Sequence, residues 1–154
     1  MPKRGRTTAI LLATGAVVVG VLAVVSFKGD LLRGWFHRQS DSERIQGKWK
    51  IVSIVESGQA LPESKLGYCI FEGEMMLILD PNGKATVGSL PVAYRLDEDH
   101  KPGWFDTDRG LGEWNLGIYE LNGDTLRICS SWERPTGFET EANSGNLLIV
   151  LQRE

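Results

Sequence analysis

Six side chains able to bind a cation or move a proton crowd into one short stretch: Asp97-Glu98-Asp99-His100, then Asp106 and Asp108. Carboxylates at that density suggest a hard cation first. Calcium takes about six to eight oxygens, usually from acids spaced tightly around a Gly turn. That spacing is missing here, and Lys101 and Arg109 compete for the same acids. A solvated loop with local salt bridges is the stronger reading. Zinc needs Cys and His together, yet His100 has neither nearby, and His37 stands beside Arg38 as an exposed linker residue. No Gly-x-Ser-x-Gly turn or phosphate-cradling Gly loop is present, and no Ser or Cys is evidently partnered with a His. The chain therefore reads as a non-enzyme that holds no metal and no cofactor.

A second set has the chemistry of recognition. Tyr94, Trp104, Tyr119, Arg127 and Arg134 combine aromatic surface with fixed charge, as the mouths of binding barrels do. These five are the candidate ligand-binding residues. The competing reading is that the aromatics fill a small barrel, whose interior is only wide enough for side chains or one small ligand, and that Arg134 holds its loop in place. Cys69 and Cys129 lie in expected strands 60 positions apart. An exported domain permits a bridge, and two small unpaired core residues are the slightly favoured alternative.

The elements that must position these groups are strands. Gly47-Lys48-Trp49-Lys50-Ile51-Val52-Ser53-Ile54-Val55 is rich in β-branched and aromatic residues. Alternation puts Trp49, Ile51 and Val55 on one face with Ser53, and Lys48 and Lys50 on the other. Ser40 and Glu43 have capping-box spacing for a helical turn just before it. Further strands are expected at 68–71, 74–79, 84–87, 92–96, 116–121, 125–129 and 147–151, with Asp80-Pro81-Asn82-Gly83 and Asn122-Gly123-Asp124 as turns. A polar stretch, 97–109, interrupts the pattern, and 131–145 is irregular. Short strands, close-spaced turns and little helix give an all-β class, a barrel or sandwich of about eight strands.

The opening block, with Tyr94-Arg95-Leu96-Asp97, Lys101-Pro102, Asp106, the run from Gly117 through Cys129, and Arg134-Pro135-Thr136-Gly137-Phe138-Glu139-Thr140, resembles a family of small lipocalin-like domains of unknown function abundant in planctomycete-type bacteria. The resemblance covers residues 43–154. It departs from the family between Asp106 and Tyr119, where this chain is Gly- and Trp-rich. It implies a lipocalin-like antiparallel β-barrel, a habit of following export signals, and no assigned reaction. In lipocalin-type barrels a turn of helix closes one end over the Trp of the first strand, and an Arg of the last strand stacks on it. The resemblance gives those roles to Trp49 and Arg153, as a structural plug.

Ahead of the barrel, Lys3, Arg4 and Arg6 precede an uncharged apolar run at 7–27. That length approaches the ~20 residues of a membrane-spanning helix and exceeds the core of a usual cleavable signal. Residues 1–27 are expected to be a single-pass transmembrane signal anchor, 28–39 a juxtamembrane linker, and 40–154 an extracytoplasmic domain. Secretion to the periplasm after signal cleavage is the alternative. Residues 1–38 hold six Lys/Arg against one acid, a net of +5, and residues 39–154 hold eleven against nineteen, a net of −8. So acidic a domain lacks the footprint of a nucleic-acid binder. Its expected partners are the membrane through the N-terminal helix, and either a small apolar ligand in the barrel or a protein bound by the loops of a filled one.

Overall fold

The computed structural model of the protein describes residues 39–85, 90–108, 110 and 112–154. The expected membrane anchor and nearly all of the linker lie outside the described residues. Among the described residues, no helix is long and apolar enough to cross a membrane.

Residues Ser40–Glu154 form one compact unit. It opens with a single helical turn, α1 (Asp41–Arg44), and continues as β1 (Gly47–Glu56), β2 (Gln59–Ala60), a 3-10 turn (Glu63–Lys65), β3 (Tyr68–Glu72), β4 (Met75–Leu79), β5 (Val92–Asp97), β6 (Gly103–Asp108), β7 (Trp114–Asn122), β8 (Thr125–Ser131) and β9 (Leu147–Arg153). From β3 onward each strand pairs antiparallel with the next, and β1 pairs with both β3 and β9. That closes an eight-strand antiparallel barrel, with two-residue β2 as a flap on the far half of β1. Closure leaves no long unpaired edge to recruit another chain.

The first strand departs from simple alternation. Val52 is an extra residue between Ile51, paired with Leu151, and Ser53, paired with Val150. This bulge flips the parity of the strand beyond it. Trp49 and Ile51 point inward as alternation requires, but Ile54, rather than Ser53 and Val55, continues the core. The polar interruption at 97–109 is a second correction: it contains β6. Its Gly-Trp-Phe-Asp-Thr-Asp order does alternate, with Phe105 buried among the core aromatics. The charged positions hide the strand because one of them, Asp106, is buried against arginines far away in sequence. In the expected strand at 84–87, Ala85 makes an isolated bridge to Leu79; residues 86 and 87 lie outside the described ones.

One end of the barrel is shut. Ser40 Oγ accepts from Glu43 N (3.2 Å) and Glu43 Oε2 accepts from Ser40 N (3.1 Å), so the capping box holds α1. Ile45 and Trp49 are fully buried beneath it, and Trp49 Nε1 donates to Ile45 O at 2.7 Å. The Arg153 guanidinium lies 4.2 Å from the Trp49 ring centre and donates to Gln46 O (3.0 Å) and Arg44 O. Gly47, at φ 107°, turns the chain from the helix into the strand, a conformation that side-chain-bearing residues rarely adopt.

Replacing Arg153 by Ala removes the cation over the indole and two charged hydrogen bonds. It is expected to cost about 2–3 kcal/mol, read as a fall in urea midpoint. Arg153→Lys should recover less than half, because an ammonium cannot stack flat and reach both carbonyls. An unchanged midpoint in Arg153→Ala contradicts this role.

Candidate functional site

Away from α1 the barrel interior is not filled. Inward positions continue to the far ends of the strands, and there they enclose a cavity of about 410 Å3. This lies within the roughly 300–1,000 Å3 usual for small-molecule sites. Phe105, Ile128 and Ile149 form its floor. Met76, Ile78 and Val92 form one side, and Thr107, Asn115 and Ser130 the other, with Leu147 beside Ser130 as its partner on β9. Among the described residues β4 and β5 pair through Met75–Ala93 and Met76–Val92, and the far end of β4 is bridged from Leu79 to Ala85. Ile78, paired with inward-facing Cys69 and part of the cavity lining, is 44 % exposed.

The five recognition residues expected from sequence are not gathered there. Tyr94 is inside, in the layer below the cavity. Its ring stacks on Phe105 (5.3 Å between centres) and meets Phe71 edge-on, while its hydroxyl donates to Gly73 O (2.8 Å). Tyr119 is also inside but at the shut end, where its hydroxyl donates to Asp41 Oδ2 at 3.0 Å. Its ring lies so close to Gly103 that a Cβ there would collide with it. Burial, then the Asp41 carboxylate, pushes the Tyr119 phenol well above its ordinary range, so it is a neutral donor at any physiological pH. Trp104, Arg127 and Arg134 are on the outer face. Arg127 lies over Phe138 (4.3 Å) and pairs with Glu120 (3.3 Å).

Trp104 and Arg134 belong to a packed outer network centred on Asp106, which is 3 % exposed. Arg134 forks onto both Asp106 oxygens (2.7 and 3.0 Å), Arg95 adds bonds of 3.0 and 3.2 Å, and Gly117 N donates at 3.2 Å. Arg134 also covers the Trp104 ring at 4.0 Å, and His100 stacks on that ring with centres 3.5 Å apart. Arg95 lies 4.3 Å over Trp114. Neither Trp therefore offers a bare apolar patch. Burial alone would raise the Asp106 carboxyl; Arg134, the Gly117 N–H and Arg95 outweigh it and hold the group below its ordinary value. A cleft of about 500 Å3 adjoins this network, but its arginines are already committed to Asp106.

Asp97 and Asp108 are bonded locally, and Glu98 Oε1 accepts from Ser42 N at 2.9 Å. Asp97 Oδ2 is 3.2 Å from His100 Nδ1, and Asp97 Oδ1 accepts from Asp99 N. Asp108 Oδ1 accepts from Gly110 N at 2.7 Å. Among the described residues no three Asp, Glu, His or Cys side chains converge on a metal position. Cys69 and Cys129 are both buried and free. Cys69 joins the inner core, whereas Cys129 comes next to inward-facing Ile128 and so points outward, so the barrel wall separates them. Burial pushes the Cys69 thiol up to about 12.

No protein-family model, curated protein or solved structure matches this chain.

The outer network and the thiols each make a measurable difference. Asp106→Ala strands Arg134 and the Gly117 N–H, and should cost about 3 kcal/mol, at the low end for a broken buried pair because both arginines reach water. The folded carboxyl is depressed, so its contribution is present above the unfolded value of about 4 and fades as pH falls through the folded one. Between pH 7 and pH 3 the urea midpoint should therefore drop more for the native chain than for Asp106→Ala. Equal drops contradict the assignment. For the thiols, iodoacetamide at pH 8 should leave Cys69 unmodified in the folded chain and alkylate it in urea, read by peptide mass. Rapid native labelling contradicts its burial.

Proposed function

We propose that this chain is a non-catalytic binding module, a lipocalin-like barrel displayed outside the cytoplasmic membrane on its N-terminal anchor, and that it takes a small apolar ligand into the open end of the barrel. The observation that carries the reading is the cavity of about 410 Å3 floored by Phe105, Ile128 and Ile149. Apolar walls exposed at an open mouth are unfavourable in water and gain roughly 25 cal/mol for each Å2 covered. Inside the barrel, the polar ends of Tyr94 and Tyr119 are bonded within the fold, to Gly73 O and to Asp41.

Protein recognition by the loops is the second reading. It draws support from Leu90, 76 % exposed, and Trp132, 68 % exposed, each two residues from a cavity-lining position, Val92 and Ser130. Such exposed apolar side chains suit either a partner surface or the approach of an apolar ligand.

The two separate in one experiment. The full chain is titrated with N-phenylnaphthylamine, a neutral fluorophore that brightens in apolar sites. Ser130→Trp, which puts an indole into the cavity, serves as the comparison. Saturable binding lost in Ser130→Trp, with that variant keeping its thermal midpoint within a few degrees, supports the cavity. Equal fluorescence in both chains contradicts it and favours the loops.

A further inference from the structure

The cavity is apolar on one side only. Thr107 and Asn115 are direct cross-strand partners in the β6–β7 ladder, and Ser130 on β8 faces the same interior, paired with Gly117 two residues along β7 from Asn115. Two hydroxyls and an amide thus form a polar strip on the wall opposite Met76 and Val92. None of the three side chains has a hydrogen-bond partner among the described residues. This contrasts with the rest of the barrel, where Tyr94, Tyr119, Gln46 and Asp106 are each bonded to named groups. Of the described residues lining the cavity, Asp108 is the one ionisable group, and no Lys, Arg or His is among them.

We infer that the ligand is an amphiphile with an aliphatic body and an uncharged head that both donates and accepts hydrogen bonds, an alcohol or a primary amide. The inference rests on the cavity being a binding site at all. Hydroxyls donate and accept, and the Asn115 amide does both through separate atoms, so only a head that does both can satisfy the strip. A pure hydrocarbon would displace water from these groups and leave them unpaired, which selects against it. A carboxylate head would lie near Asp108 with no cation among the described lining residues to offset it, an unfavourable pairing of like charges.

The test is displacement of N-phenylnaphthylamine from the full chain by decanol, decanamide, decyl methyl ether, decanoate and decylamine, with Ser130→Trp as the blank for partitioning. Decanol and decanamide should displace at concentrations about tenfold below the ether and the acid, the effect of one or two net hydrogen bonds. Asn115→Leu and Thr107→Val keep the cavity's size and should each shrink that preference while still binding the probe. The inference is overturned if decanoate or decylamine displaces best. It is equally overturned if the preference survives in both variants; in either case the apolar cavity stands. If the probe does not bind the native chain, the cavity reading fails, and this inference with it.

Discussion

The whole barrel depends on a single indole being covered from two directions. Trp49 is reached from above by α1 and from the side by Arg153, so the first and last strands of the domain meet at one side chain. The β1–β9 ladder runs on from that meeting point, and it is what closes the sheet into a barrel. Because the shut end is assembled from the start and finish of the domain, it forms only when the chain has gone all the way round. The cavity floored by Phe105, Ile128 and Ile149 lies toward the other end.

A second constraint acts from outside. The irregular segment between β8 and β9 has no ladder to hold it, and it is pinned by Arg134, whose guanidinium satisfies a buried carboxylate and caps a Trp at once. A buried charge survives only when its partners are complete, and at Asp106 they are. The charged and aromatic residues that draw the eye in this chain are therefore used to fasten loops to strands. The uncharged polar side chains that line the cavity, Thr107, Asn115 and Ser130, are not fastened in this way.

These two constraints explain how far the fold and the site can be read from residue order. The strands with plain alternation, the hairpin at Gly123 and Asp124, the capping box at Ser40 and Glu43, and the eight-strand architecture are all legible, since each depends on local propensity or short spacing. The bulge at Val52 is not, because it is set by the register of β9. β6 is hidden because Asp106 reads as solvent-exposed until its remote arginines are in view. Tyr94 and Tyr119 are legible as barrel residues, but which level of the barrel each occupies is decided by the register of the ladders. No residue type marks that. The cavity's polar strip is made of three ordinary side chains on three strands, and only the ladder brings them together.

Together these constraints support the proposed reading of the barrel as a container for a small guest. Native mass spectrometry of the full chain, isolated gently from the cells that produce it, tests this most directly. A reproducible added mass that disappears on denaturation, and is absent from Ser130→Trp isolated in the same way, is the predicted result. The bare chain mass for both would contradict a binding barrel.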